Sequence, residues 1–334
     1  MDHLPSSPIL THGGNVSAAT AVFGLPDQGW LDLSTGLNPA PYPNLSVSQT
    51  AFAALPLASA QAGLLAAARR AYGLPETASL CAAPGTQALI QIVPNLYPPT
   101  SVAIVSPTYG EHAHVWREAG HETTEIAALE DARDARIVIV TNPNNPDGRQ
   151  FKPAILRSLY RTLAKENGLL IVDEAFADVL PRVSLASDTG QPGLIVLRSF
   201  GKFFGLGGLR LGFAAGPASW IQKIEARLGP WAVSGPAIEI GTRALNDTAW
   251  AAAARTTLTG LRQRLEETLG QAGLTIIGST DLFVLAEHTD APKIYLRLGQ
   301  AGILVRPFAD HPTWLRFGLP GTDAAFARLE NALS

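Results

Sequence analysis

Between residues 101 and 197 four short runs of mostly β-branched residues recur: Ser101-Val102-Ala103-Ile104-Val105, Ala135-Arg136-Ile137-Val138-Ile139-Val140, Leu169-Leu170-Ile171-Val172 and Leu194-Ile195-Val196-Leu197. Continuous hydrophobicity over so short a span marks a strand buried on both faces. Helical stretches separate several of them, most clearly Lys152 to Glu166, where Ile155, Leu156, Leu159 and Leu163 share a face. Strands alternating with helices predict an α/β chain whose parallel sheet is covered by helices on both sides. Upstream, an alanine-rich segment from about Gln61 to Tyr72 carries Leu64, Leu65 and Ala68 at helical spacing. Residues 1–50, rich in Pro, Gly and Ser, read as an irregular arm.

After about Trp231 the pattern changes. A helical region runs from Pro236 to Ala272 with a break near Asn246-Asp247. Short strands follow at Leu274–Ile277, Leu282–Leu285, Ile303–Val305 and Trp314–Gly318, and a helix from about Asp323 to Leu333. This predicts a smaller α+β domain. The 334 residues suffice for two domains. A net charge of −3 with no basic block argues against nucleic acid as a partner. No apolar run approaches membrane-spanning length and the N-terminus carries no signal-peptide pattern, so a soluble, cytoplasmic protein is expected. Cys81 is the single cysteine, which excludes an intrachain disulfide, and no metal site is expected.

In open α/β sheets ligands bind beyond the carboxyl ends of the strands. Polar residues of unusual type stand at those ends here. Val105 is followed by Ser106-Pro107-Thr108-Tyr109-Gly110-Glu111-His112, and Val140 by Thr141-Asn142-Pro143-Asn144-Asn145-Pro146. Val172 is followed by Asp173-Glu174-Ala175-Phe176, and Leu197 by Arg198-Ser199-Phe200-Gly201-Lys202. A lysine so placed, flanked by glycines, has the surroundings of an amine that forms a Schiff base with a carbonyl cofactor; a solvated turn lysine would read the same. Ser199 and Arg210 suit a phosphate beside it. In Ala83-Pro84-Gly85-Thr86-Gln87 a glycine and a hydroxyl open an apolar helix, as an anion site or as a plain cap.

Taken in order, Gly-Thr-Gln, Pro-Thr-Tyr, Asn-Pro-Asn-Asn-Pro, Asp-Glu-Ala-Phe, Ser-Phe-Gly-Lys and the following arginine resemble the fold-type I pyridoxal-phosphate enzymes, in particular their histidinol-phosphate aminotransferase-like branch. His12-Gly13-Gly14-Asn15 with Asp32-Leu33-Ser34-Thr35-Gly36-Leu37-Asn38-Pro39 resembles the L-threonine-O-3-phosphate decarboxylases of cobalamin biosynthesis, and the Pro84–Gln91 segment resembles the variant found with the aerobic pathway. The resemblance implies a large cofactor domain with a mostly parallel sheet over residues 36–235, a small α+β domain over 236–334, and an arm over 1–35 packing on the small domain. It implies pyridoxal 5'-phosphate as cofactor, with Lys202 as Schiff-base lysine and proton shuttle and Asp173 at the pyridine nitrogen. Asn145 would meet the ring hydroxyl, Tyr109 the ring face, and Gly85, Thr86, Ser199 and Arg210 the phosphate, with Gln87 and Phe176 also among the cofactor-binding residues. Arg316 matches the arginine that grips the substrate carboxylate, with His12, Asn15, Gly36 and Asn38 on the substrate side. The implied reaction converts L-threonine O-3-phosphate to (R)-1-amino-2-propanol O-2-phosphate and carbon dioxide, in a homodimer.

Two positions depart from the aminotransferase pattern. Phe176 stands where aminotransferases carry a tyrosine that donates to the ring hydroxyl; its loss is expected to raise the imine pKa. The threonine-phosphate decarboxylases resemble this chain in having phenylalanine there. Leu55-Pro56 replaces a Tyr-Pro whose tyrosine reaches the neighbouring subunit's cofactor phosphate. An aminotransferase acting on histidinol phosphate or a related amine would share every cofactor residue, and a non-catalytic sensor module is a third reading. Phe176 and the His-Gly-Gly-Asn arm weigh against the former, and the full set of cofactor residues against the latter.

Overall fold

The computed structural model describes residues 13–132 and 134–334, and the chain divides into two compact units. One comprises Pro41–Asn145 and Arg149–Ala252; the other gathers the N-terminal segment through Ala40, Pro146–Gly148 and Ala253–Ser334.

The larger unit is built on seven strands, ordered across the sheet as Ser79–Ala83, Gly212–Gly216, Leu194–Ser199, Leu169–Asp173, Ile137–Thr141, Ser101–Val105 and Glu122–Ile126. Neighbours from Leu194–Ser199 to Glu122–Ile126 pair in parallel. Gly212–Gly216 runs antiparallel to both of its neighbours, so the sheet is mixed. That strand, Gly-Phe-Ala-Ala-Gly, has no β-branched residue and gave no signal in the sequence. The continuous apolar runs are explained by burial on both faces. Val102, Ile104, Ile137, Ile139, Leu169, Ile171, Ile195 and Leu197 pack with Leu89, Trp116, Ile221 and Ile224 in one core cluster. The alternate residues Val138, Val140, Leu170, Val172, Leu194 and Val196 pack with Leu156 and Tyr160 in another. The helix carrying those two residues spans Pro153–Lys165, started by a proline at its first position, where the missing N–H has no intrahelical partner to lose.

Six of the seven strands point their carboxyl ends to one edge, and Gly212–Gly216 begins there. The helix Ala58–Tyr72 ends on left-handed Gly73 with Arg69 and Arg70 in its last turn, where cations complement the helix dipole. The helix Gly235–Asn246, capped by the Ser234 hydroxyl on the Ala237 N–H, packs along it. That packing moves the division between units from residue 235 to Ala252/Ala253, inside the helix Thr248–Gln271.

The smaller unit has a four-stranded antiparallel sheet in the order Arg306–Pro307, Trp314–Gly318, Phe283–Glu287, Thr275–Thr280. The expected strand Ile303–Val305 is split. Ile303–Leu304 leaves the sheet to pair in parallel with Leu31–Asp32, and Arg306–Pro307 pairs with Trp314–Gly318. The irregular reading of the N-terminal fifty residues is corrected too. Asn15 caps a helix, Val16–Phe23, whose Phe23 ring meets Tyr295 edge-on at 6.0 Å. Proline and glycine crowding the flanks of this short helix hid its period from the sequence.

Candidate active site

At the carboxyl edge of the large sheet the residues singled out in the sequence come together in strand order. Asp173 is the last residue of Leu169–Asp173 and is buried. One of its oxygens meets His112 Nε2 at 3.0 Å; the other accepts the Ala175 N–H at 3.0 Å. A carboxylate held by such bonds is fixed in direction without water. His112 follows the Pro-Thr-Tyr loop and is a site residue that sequence reasoning missed. Its signal was its place, three residues past Tyr109, on the buried side of the helix Glu111–Glu118.

Lys202 lies on the short helix Phe200–Phe203 that follows Leu194–Ser199. Its ammonium stands 5.5 Å from the centre of the buried Phe176 ring, an aromatic face that attracts a cation but offers no hydroxyl. Behind the lysine, Phe200 and Phe204 stack at 4.3 Å, and Phe204 stacks on Trp250 at 5.4 Å, so the backbone around Lys202 is anchored by rings. Two positions upstream of Phe200, buried Arg198 binds Glu174 at 2.7 Å and also Asp178, tying the segment after Asp173 to the segment before Lys202.

The third element is a glycine turn with an arginine packed against it. Gly85, at φ +84, caps the helix Thr86–Ile92, and a Cβ there would lie 2.6 Å from Arg210 Nη2, so a side chain would displace the guanidinium. Arg210 itself holds a left-handed backbone, φ +53, and donates to the Gly207 carbonyl at 3.1 Å. Non-glycine residues adopt that conformation at a cost of roughly 1–2 kcal/mol, and such outliers gather at ligand sites. Ala83 and Ser199 flank Gly212 in register, and the Thr86 hydroxyl donates to the Arg198 carbonyl at 3.2 Å. The N-terminus of this helix, the Thr86 hydroxyl and the Arg210 guanidinium are thus neighbours of Gly85 and Gly212.

The Asn-Pro-Asn-Asn-Pro loop separates its asparagines by task. Asn142 donates to the Phe151 and Val183 carbonyls and accepts the Phe151 N–H. Asn144 accepts from the Thr108 hydroxyl at 2.8 Å and donates to the Pro107 carbonyl at 2.8 Å. Both hold the loop against its neighbour; Asn145, which follows them, is half-buried. Tyr109 donates its hydroxyl to Gln87 Oε1 at 3.0 Å. Buried Cys81 is no rival nucleophile, since burial pushes its thiol up to about 12.

The residues expected on the substrate side belong to the smaller unit. His12 lies outside the described residues. Gly13 sits so close to Ser34 that a Cβ would strike its carbonyl, and the Gly14 N–H donates to Ser34 Oγ at 2.7 Å. The two N-terminal motifs therefore meet. Asn15 is a helix cap, its Oδ1 accepting the Ala18 N–H at 3.0 Å; Gly36 and Asn38 are buried, and Asn38 Oδ1 accepts the Ala40 N–H at 2.8 Å. Arg316 is buried and donates to the Ser34 carbonyl at 2.9 Å. Directly opposite it in register is Arg306, which the sequence reading missed. Burial first, and then the Arg306 charge, push the Arg316 guanidinium well below its ordinary pKa, with Asp32 acting weakly the other way. Two cations on paired strands repel each other, and Asp32 offsets part of that repulsion at Arg316.

A sheet edge that presents a lysine, a hydrogen-bonded aspartate and a glycine turn backed by an arginine accords with the fold-type I pyridoxal-phosphate enzymes. The profile of aminotransferase class I and II matches residues 53–333, and the chain belongs to that family. It is 42% identical over 330 residues to threonine-phosphate decarboxylase from Pseudomonas aeruginosa, covering 97% of each chain. It is 44% identical over 336 residues to threonine-phosphate decarboxylase from Sinorhizobium sp., covering 98% of each. Among solved structures, histidinol-phosphate aminotransferase from Sinorhizobium meliloti, in complex with pyridoxal-5'-phosphate, superposes with a TM-score of 0.81 at 21% identity, covering 96% of this chain and 93% of that one.

Proposed function

We propose that this protein decarboxylates L-threonine O-3-phosphate to (R)-1-amino-2-propanol O-2-phosphate, as a cytoplasmic homodimer serving cobalamin biosynthesis. The paired arginines Arg306 and Arg316 carry the substrate assignment. Two facing guanidiniums match a dianion better than a single carboxylate, because each can take a pair of phosphate oxygens. Arg316 is then assigned to the substrate phosphate, a revision of the carboxylate role that resemblance implied. A carboxylate clamped by two arginines would be held in place, whereas one left to a weaker contact can depart as carbon dioxide. Asn38 is the N-terminal residue we assign to the substrate side, with His12.

Pyridoxal phosphate, when bound, supplies the electron sink for the bond broken at Cα. Gly85, Thr86, Ser199 and Arg210 are the residues assigned to its phosphate, Asn145 to its ring hydroxyl, Tyr109 to its ring face and Lys202 to its carbonyl carbon. Asp173, oriented by His112, would keep the pyridine nitrogen protonated. Lys202 Nζ is also the group assigned to return a proton to Cα, with Phe176 as its apolar neighbour. The dimer is supported by apolar residues that one copy leaves in water: Phe52, Leu55 and Leu57 are 73, 63 and 70% exposed. The cytoplasmic assignment is supported by the lone, buried cysteine and by the absence, among the described residues, of any helix able to cross a membrane.

The test is a product balance with phosphothreonine. One carbon dioxide and one amino alcohol phosphate per substrate consumed is the expected result, and a keto acid in stoichiometric amount would overturn it in favour of transamination.

A further inference from the structure

We infer that Glu111 is a positioning residue for the cofactor face, acting on Tyr109 through Gln87. The inference rests on the reading of Tyr109 as the ring-stacking residue. Tyr109 and Glu111 stand two residues apart at the start of the helix Glu111–Glu118, but the relay between them runs through a different element. The Tyr109 hydroxyl donates to Gln87 Oε1 at 3.0 Å, and Gln87 Nε2 donates to Glu111 Oε2 at 2.9 Å. Gln91, one turn further along the helix Thr86–Ile92, donates to the same carboxylate oxygen at 3.3 Å.

The direction of this chain of bonds follows from what each group can do. An amide can present either its oxygen or its nitrogen to a hydroxyl, so Gln87 alone would leave the phenol free to donate or accept. An ionised carboxylate only accepts. Glu111 therefore draws the Gln87 NH₂ to itself and turns the amide oxygen toward Tyr109, whose hydroxyl must then donate. Because conjugation keeps a phenol O–H in the plane of its ring, a fixed direction for that bond favours one rotation of the ring about its long axis, and with it the plane assigned to the cofactor. Gln87 sits next to Thr86 and two residues past Gly85, so the relay also couples the ring face to the turn assigned to the cofactor phosphate. All three side chains are half-buried, where such bonds are less diluted by water than at the surface.

The experiment uses the holoenzyme and reads the rate of cofactor dissociation together with visible-band circular dichroism, which reports how the bound ring is held. Glu111→Ala is expected to speed dissociation roughly two- to tenfold, the range for one hydrogen bond, and to weaken the dichroic band. Tyr109→Phe, which keeps the ring and removes the end of the relay, is expected to do the same. The double variant should match either single one. If the effect of Glu111→Ala persists undiminished on the Tyr109→Phe background, or if Glu111→Ala changes neither readout, the relay is refuted. Should Glu111→Ala fail to fold, the cycle of Gln87→Ala with Tyr109→Phe reads the same coupling by the same criteria. Tyr109→Ala separates the levels: unchanged dissociation there would sink the stacking role itself and the relay with it, whereas faster dissociation with an additive cycle sinks the relay alone.

Discussion

The carboxyl edge of the large sheet and the arginine pair of the small unit handle charge in opposite ways. At the sheet edge charges are matched or shielded by this chain's own groups. Asp173 has His112 and the Ala175 N–H, Arg198 has Glu174 and Asp178, and Lys202 faces the Phe176 ring. In the small unit two guanidiniums, Arg306 and Arg316, stand in register on paired strands; Asp32 and the Phe283 ring lie by Arg316, yet its burial and the Arg306 charge still make its own charge costly to keep. The first arrangement suits a group that stays through every turnover and is held in one pose. The second suits an anion that comes and goes, because the repulsion relieved on its arrival returns on its departure. The same contrast separates the two parts of the proposal, a resident cofactor and a transient phosphorylated substrate.

The largest effect should come from Lys202→Ala. Losing the attachment point and the proton donor together should lower carbon dioxide release from phosphothreonine by about a thousandfold or more. Normal turnover by that variant would end the reading of the sheet edge as a covalent cofactor site. Next, Arg306→Ala should raise the KM for phosphothreonine about ten- to a hundredfold, the value of a charge-assisted bond, while changing kcat less. An equal fall in kcat with KM unmoved would place Arg306 among the groups acting in the transition state instead. His112→Ala, on the resident side, should do the reverse: roughly tenfold lower kcat and weaker cofactor retention, with KM for substrate little changed. That split, measured on the two variants side by side, sharpens the division between resident and transient charge.

How far each region could be read in advance follows from how it is assembled. Asp173, Lys202, Asn145 and Tyr109 each lie within five residues of the carboxyl end of a strand whose apolar run is unmistakable, so parallel topology alone gathers them. Chain order and spatial order coincide there. His112 escaped because a histidine on a helix's buried side looks like any core residue until the aspartate opposite it is placed. Arg306 escaped for a different reason. Its relation to Arg316 depends on the register of two strands, one only two residues long, and nothing in Val305-Arg306-Pro307 announces a strand that short. The meeting of Gly14 with Ser34 is likewise a tertiary hydrogen bond across 20 positions. The antiparallel Gly212–Gly216 was hidden because its small residues are chosen for close approach rather than for β propensity.

The smallest effect tests the comparison most directly, because it asks the arginine pair to show its cost. Removing one of two like charges that face each other across strands should stabilise the protein when no anion is present, since such pairs are unfavourable by a fraction of a kcal/mol to about 1 kcal/mol. Arg306→Ala should therefore unfold about 1–3 °C higher than the parent in phosphate-free buffer, in spite of the guanidinium packing it loses. Phosphate added to the parent should raise its melting temperature by relieving the same repulsion, and should raise that of Arg306→Ala much less. The two curves would then converge or cross as phosphate increases. At the sheet edge no such gain is available: His112→Ala leaves Asp173 short of a buried partner and should melt lower with or without phosphate. If Arg306→Ala melts lower than the parent in the absence of anion, and phosphate shifts both proteins equally, the pair is a structural element and the substrate's dianion must be held elsewhere.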